Sequence, residues 1–197
     1  MEQEYKWCAT PELRTKLTKM LSRHEATVSA YNLQMAAVYY EMPDGFLRKN
    51  GMALRLRSEN GKTVCCMKRT VRKEGALALR EEYETEAADL KDGLRRLPEH
   101  GAPRDLCIFL LAQEFCELAR TEFTRQCYLL DCGSFTAEFA ADEGRLGKTG
   151  KMQPFAEFEL ELKSGDADAF TAFAEALQAK YSLTPQPLSK LARAATV

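Results

Sequence analysis

Carboxylate residues alternate with other residues at both ends of this 197-residue chain. Glu2, Glu4 and Lys6 open the sequence, and Glu157 and Glu159 repeat the acidic spacing near its end. Residues two apart on a β-strand share one face, with alpha carbons about 6.5 Å apart. Two such carboxylates make a loose chelate, so a metal bound by Glu2 and Glu4 would need Glu157 and Glu159 from another strand. These hard oxygen ligands favour Mg²⁺ or Mn²⁺ over zinc.

Basic residues follow the same alternation in the middle of the chain. Arg55 and Arg57 are two apart, and Lys68 and Arg125 lie in later segments of similar pattern. The planar fork of arginine suits bidentate contact with phosphate oxygens. Carboxylates crowded in a medium of low dielectric constant would take up protons unless cations lay among them, and the cations likewise need anions. A divalent metal with a phosphate chain satisfies both requirements.

The alternating segments predict eight strands joined mostly by tight turns. The strands are predicted at residues 1–8, 28–42, 51–59, 63–71, 77–85, 117–131, 134–141 and 154–163. Asn60-Gly61 is the strongest hairpin signal, and Glu143-Gly144 is read as the turn after the seventh strand. Helices are predicted from Pro11, around residues 87–97, from Pro103 to Ala112, and after Asp166 as N-cap.

The two faces of the predicted strands differ in polarity. Tyr5 and Trp7 alternate with Glu4 and Lys6, for example, and are expected beneath a helix. In a β-sandwich the charged faces would be solvated. In a closed eight-stranded barrel they would line an interior wide enough for one small ligand. The repeated charged doublets favour the barrel, so the predicted fold is α+β and mainly antiparallel β, one domain over residues 1–197, with helices packed outside.

Bulk composition excludes several classes of protein. Lys and Arg total 28 against 29 Asp and Glu, so no overall charge attracts nucleic acid or a membrane surface. The longest apolar stretch, Ile108 to Ala112, is too short to span a bilayer. Seven cysteines without a CxxC pair, with only two histidines, argue against zinc and disulfides and for a reducing cytoplasm. The oligomeric state stays open.

The ordered set of these segments resembles the CYTH domain of the triphosphate tunnel metalloenzyme superfamily. Glu2-x-Glu4-x-Lys6 is similar to its ExExK signature, and Tyr40–Arg57 to its tyrosine-rich strand, PD turn and arginine pair. The resemblance continues to the end of the chain through Lys68, Arg80-x-Glu82-x-Glu84, Arg125, Glu138, Asp142, Glu157-x-Glu159 and Ser189-Lys190-x-x-Arg193. The family commonly has Asp-Thr where this chain has Glu41-Met42, and Glu41 is expected at the surface.

The resemblance implies a tunnel whose members hydrolyse or cyclise triphosphate compounds with Mg²⁺ or Mn²⁺. The implied phosphate-binding residues are Arg55, Arg57, Lys68 and Arg125, with Arg80 and Lys190 as further candidates. The implied metal ligands are Glu2, Glu4, Glu157 and Glu159, completed by Glu82, Glu84 or Asp142. Lys6 would orient the substrate and the attacking water, so Glu4, Lys6 and Arg57 are the candidate catalytic residues.

The compact chain favours the smallest substrate, inorganic triphosphate, cleaved to pyrophosphate and phosphate. Thiamine triphosphatase, nucleoside triphosphatase and class IV adenylate cyclase are the enzymatic alternatives. A non-catalytic module that binds polyphosphate or nucleotide is another alternative. The retained carboxylates count against such a module, because carboxylates weaken anion binding unless a metal is present.

Overall fold

The computed structural model describes residues 2–197, so Met1, at the start of the first predicted strand, lies outside the described residues. The strands in this part of the chain are β1 (Glu2–Cys8), β2 (Thr27–Glu41), β3 (Met52–Glu59), β4 (Lys62–Glu74), β5 (Leu77–Glu86), β6 (Cys116–Asp131), β7 (Phe135–Lys148) and β8 (Lys151–Gly165). The helices are α1 (Pro11–Leu21), α2 (Phe46–Lys49), α3 (Leu90–Arg96), α4 (Arg104–Leu111), α5 (Ala167–Tyr181) and α6 (Lys190–Ala194).

These strands close into one antiparallel barrel. The order around it is β1-β5-β4-β3-β2-β6-β7-β8, and β8 pairs with β1 to complete the circle. The predicted barrel is therefore confirmed, and the sandwich is excluded. Asn60-Gly61 forms the predicted hairpin between β3 and β4, with both residues at positive φ, which Asn and Gly tolerate best.

The apolar residues pack outside the barrel, against the helices. Trp7, Phe158 and Phe170 are fully buried in a cluster between β1, β7, β8 and helices α1 and α5. A second cluster lies beneath α3 and α4. Trp7 Nε1 donates a hydrogen bond of 2.7 Å to Gln178 Oε1 on α5, as expected for a residue beneath a helix. The core is thus a shell around the barrel, and most of the lumen is left to polar side chains.

The turn predicted at Glu143-Gly144 is wrong. β7 runs on to Lys148, and Gly144 lies opposite Phe123 of β6. A Cβ at Gly144 would collide with the carbonyl oxygen of Glu122, so glycine is required here for the close approach of two strands. Strands β7 and β8 are consequently longer than predicted. No helix within residues 2–197 is both long and apolar enough to cross a membrane.

Candidate active site

The inward faces of the strands enclose a cavity of about 580 Å³. The charged residues lining it are Glu2, Glu4, Lys6, Arg48, Arg55, Arg57, Glu59, Lys68, Arg80, Glu82, Glu84, Arg125, Glu138, Glu159, Glu161, Lys163 and Lys190. Strand β2 differs from the others, since it presents Tyr31, Leu33, Met35 and Tyr39 to the same cavity. The lumen therefore has one apolar wall among charged ones.

Asp142, Glu157 and Glu159 converge on one side of this tunnel, and we call them the acidic triad. One carboxylate oxygen from each lies within 4.8 Å of the others. Asp142 on β7 is paired directly with Glu157 on β8, and Glu159 follows two residues later on the same face. Asp142 and Glu157 are both 0% exposed. Three convergent carboxylates are a donor set that fits Mg²⁺ or Mn²⁺.

Three cationic side chains hold the acidic triad. Arg125 donates from Nε and Nη2 to the two carboxylate oxygens of Asp142, at 2.9 and 2.8 Å, and also pairs with Glu159. Lys190 Nζ is 2.7 Å from Asp142 Oδ2 and 2.9 Å from Glu159 Oε1, and it contacts Glu157 as well. Arg193, one turn further along α6, pairs with Glu157.

These contacts affect the two buried glutamates differently. Burial raises the pKa of Glu157, and the nearby cations only partly oppose this. Burial also acts on Glu159, but Lys190 and Arg125 outweigh it and hold the pKa of Glu159 well below its usual range. Glu159 is therefore ionised over the whole physiological pH range. It is ready to act as a metal ligand without losing a proton.

A second charged cluster lies across the tunnel on β3, β4 and β5. Lys68 Nζ is 2.7 Å from Glu82 Oε2 and 3.0 Å from Glu2 Oε1. Arg57 Nη2 lies 3.1 Å from Glu84 Oε1, and Arg55 Nη2 lies 3.6 Å from the same atom. These residues, with Glu2, form the β3–β5 cluster. Two of its carboxylates, Glu82 and Glu84, also come together with the Cys66 thiol closely enough to hold a metal.

The pKa values of Glu2 and Lys68 are both raised, for different reasons. Burial raises the pKa of Glu2 to about 7, with Lys68 acting against it. Burial also disfavours the charged form of Lys68, but Glu2 and Glu82 overcome this effect and raise its pKa. Lys68 is therefore cationic over the whole physiological pH range, which phosphate binding would require.

Residues of β1 connect the two charged regions. Lys6 Nζ is 3.1 Å from Glu4 Oε1, and Arg80 of β5 pairs with the same carboxylate. Lys6 is the cross-strand partner of Glu159, so the ExExK segment reaches the acidic triad through backbone pairing. Burial lowers the pKa of Lys6, although Glu159 and Glu157 oppose the shift. All site residues predicted from the sequence line the tunnel except Asp142 and Glu157, which are fully buried beside it in the acidic triad.

Arg193 and the apolar wall of β2 were not assigned roles by sequence reasoning. The spacing of Lys190 and Arg193 would place them on one face of a helix and could have indicated that both act together. The alternation of Tyr31, Leu33 and Met35 with polar residues was visible too, but it does not tell which face is inside.

Glu41, expected at the surface, is 3% exposed, so that expectation is wrong. Its Oε1 accepts from the backbone N–H groups of Met42 and Leu47, both at 2.9 Å. Its Oε2 accepts from the backbone N and from Nε of Arg48, both at 3.1 Å. Glu41 thus caps the short helix α2, and these four hydrogen bonds explain how a carboxylate is tolerated in the interior.

Several known proteins are similar to this chain. The inorganic triphosphatase of Haemophilus influenzae is 28% identical over 178 residues, which are 89% of this chain and 49% of that protein. This chain thus spans about half the length of that curated relative. The structure of the putative adenylyl cyclase HpAC1 from Hippeastrum, described as having a dominant triphosphatase activity, matches with a TM-score of 0.70 and 19% identity over 100% of this chain and 96% of that one.

Two further solved structures share the fold at lower similarity. The PH1012 protein from Pyrococcus horikoshii matches with a TM-score of 0.61 and 16% identity over 97% of this chain and 98% of that one. A putative adenylate cyclase from Bacillus halodurans matches with a TM-score of 0.59 and 16% identity over 94% and 92% of the two chains. The model of the CYTH domain family matches residues 1–195, and the chain therefore belongs to the CYTH domain family.

Proposed function

We propose that this protein hydrolyses inorganic triphosphate to pyrophosphate and phosphate inside the tunnel, with Mg²⁺ or Mn²⁺ as its cofactor. The observation that carries the proposal is a single tunnel whose lining brings Glu159 of the acidic triad together with Arg55, Arg57 and Lys68 of the β3–β5 cluster. The name of the Haemophilus influenzae relative supports the same activity. The seven free cysteines suit a reducing compartment, and we propose the cytoplasm as its location.

Phosphate binding in this proposal is an exchange of partners. Arg55, Arg57 and Lys68 lie 2.5 to 3.8 Å from carboxylates in the tunnel, where phosphate oxygens could take the place of those carboxylates. Arg125, Arg80 and Lys190 would bind the chain from the other side. Phosphoryl transfer depends mainly on positioning and on neutralising charge, so this cationic lining needs no protein nucleophile beside it.

The acidic triad, with Glu2, Glu4, Glu82 and Glu84 completing the donor set, would hold the divalent cation. When bound, it supplies neutralisation of phosphate charge and lowers the pKa of a coordinated water. Lys6, held beside Glu4, would orient the attacking water and the terminal phosphate. A new bond forms between the water oxygen and this phosphorus, and its bond to the bridging oxygen breaks. The electron pair of the broken bond leaves with pyrophosphate, and the proton lost by the attacking water is released to solvent.

Phosphate release from inorganic triphosphate, ATP and thiamine triphosphate tests the proposal, each with Mg²⁺, with Mn²⁺ and with chelator. We expect fast, metal-dependent release from inorganic triphosphate alone. Glu159→Gln should abolish it, while Glu143→Gln, on the same sheet but 65% exposed at its side chain, should not. Binding of triphosphate without release in any condition would contradict the hydrolase and identify a binding module.

An organic triphosphate is the second candidate substrate, because β2 gives the tunnel an apolar wall. Tyr31 lies at its exposed end, and Leu33 and Met35 follow inward. A thiamine or nucleoside group could pack there while the phosphates occupy the charged side. Preferential release from ATP or thiamine triphosphate would support this reading, and a product cyclic nucleotide would indicate a cyclase.

A further inference from the structure

The ammonium group of Lys190 lies at the centre of the acidic triad. It contacts all three carboxylates, with distances of 2.7 Å to Asp142 and 2.9 Å to Glu159. Together with Arg125 and Arg193, it matches three carboxylates with three cations. The triad is therefore already neutralised by the chain itself. A divalent cation bound there adds two positive charges to a balanced group.

Lys190 differs from Arg125 in the element that carries it and in the way it contacts the carboxylates. Arg125 stands on a barrel strand and grips Asp142 with both arms of its guanidinium. Lys190 stands at the first position of the five-residue helix α6, is 8% exposed, and lines the tunnel cavity. A single flexible ammonium can leave its carboxylates more readily than a bidentate guanidinium.

From the position it occupies on the triad, this ammonium also contacts two aromatic rings. Its Nζ lies 5.1 Å from the ring centroid of Phe123 and 5.8 Å from that of Phe155. The two rings meet edge to face, with centroids 5.6 Å apart. Aromatic faces attract ammonium groups at such distances. Phe123 also lines the cavity, so an ammonium that left the carboxylates toward the cavity would still have an aromatic ring beside it.

We propose that Lys190 competes with the divalent cation for the acidic triad and thereby couples metal binding to triphosphate binding. Without triphosphate, the ammonium opposes the metal by occupying its ligands and by charge repulsion. A bound triphosphate offers the ammonium new anionic partners, so the carboxylates become free for the metal. This inference rests on the proposed function, since it takes triphosphate as the ligand of the tunnel.

The coupling has a consequence required by thermodynamics. If triphosphate increases the affinity for metal by some factor, metal increases the affinity for triphosphate by the same factor. Removing Lys190 should reduce that factor, whether it is measured as the effect of triphosphate on metal affinity or as the effect of metal on triphosphate affinity. A phosphate-binding lysine without this role would leave metal affinity unchanged in the absence of triphosphate. A purely structural lysine would weaken metal binding when it is removed.

Calorimetric titration of the full chain with Mn²⁺ distinguishes these roles. The variants are Lys190→Met, Lys190→Arg and Lys163→Met, each measured alone and with imidotriphosphate, whose P–N–P bridges resist hydrolysis. Lys163 is the matched control, because it lines the same tunnel and carries the same charge but pairs with Glu161 instead of the triad. Lys190→Gln serves if the methionine variant does not fold.

Without imidotriphosphate, Lys190→Met should bind Mn²⁺ about tenfold more tightly than the wild type, a modest value for coupling between sites. Lys163→Met should stay close to the wild type, and Lys190→Arg, which keeps a cation on the triad, should bind Mn²⁺ no more tightly than the wild type. With imidotriphosphate, the difference between Lys190→Met and wild type should shrink. Unchanged or weaker Mn²⁺ binding by folded Lys190→Met would overturn the inference and leave the proposed function intact. Failure of every protein to bind Mn²⁺ in either condition would overturn both.

Discussion

Replacing Glu41 by glutamine changes one oxygen and tests whether the buried carboxylate stabilises the region around α2. Glu41 is 3% exposed and accepts four hydrogen bonds, two at each carboxylate oxygen. Glutamine retains one acceptor oxygen. Its amide nitrogen can only donate, so it would face either the two backbone donors of Met42 and Leu47 or the two donors of Arg48.

The size of the effect follows from this count. A hydrogen bond to a charged group contributes about 1.5 to 3 kcal/mol, and two are lost while their donors stay buried or half-buried. Neighbouring bonds are not additive, so we expect a loss of about 3 kcal/mol in the free energy of unfolding. With a urea slope of about 2 kcal/mol per M, the midpoint should fall by roughly 1.5 M.

Urea unfolding followed by circular dichroism measures the change, with Glu86→Gln as the matched control. Glu86 pairs with Lys62 at 3.2 Å in an exposed ion pair, so its replacement should cost less than about 0.5 kcal/mol. A Glu41→Gln midpoint within experimental error of that control would refute the assignment of Glu41 as the cap of α2.

Three further changes test other parts of the structure. Arg125→Lys loses the bidentate grip on the acidic triad, so we expect a rise in the KM for triphosphate of about tenfold; an unchanged KM and kcat in the phosphate-release assay would contradict that role. Gly144→Ala places a methyl group against the backbone of β6, and a thermal midpoint equal to that of the wild type would show that the strands can separate there without cost. Iodoacetamide at pH 8 should label exposed Cys116 rapidly and Cys66 only after unfolding, because burial raises the pKa of the Cys66 thiol far above this pH; mass spectrometry of the tryptic peptides would reveal early labelling of Cys66 if this is wrong.

The barrel and its polarity could be predicted because alternation is a local property of the sequence. Each charged doublet assigned its residues to one face, and the apolar residues between them required helices outside. Glycine is ambiguous in such a pattern. The turn predicted at Gly144 was wrong because glycine is required there by Glu122 and Phe123 of β6, more than twenty residues away in sequence. The close approach of two strand backbones cannot be predicted from the local alternation of residues.

The partners of individual charges could not be predicted for the same reason. Glu41 is the last residue of β2, and only the folded chain shows that four donors converge on it. Arg193 has ordinary helical spacing from Lys190, and its contact with Glu157 depends on where α6 is placed against the barrel. The type of a side chain and the strand face it occupies can be predicted from the local sequence. Its ion-pair partner can be predicted only when the register of the closed barrel is known.

The buried ion pairs of the lumen connect the stability of the fold with the proposed activity. Burial disfavours both ions of a pair, and only close, well-placed partners offset that cost. In the tunnel the partners are other side chains, as with Lys68 and Glu82 or Arg125 and Asp142. A triphosphate with its metal carries the same two kinds of charge. It can therefore replace one partner of each pair, because the side chain that remains still has an opposite charge beside it. The ion pairs that stabilise the tunnel are then the contacts that substrate binding exchanges, and loss of either partner should weaken fold and binding together.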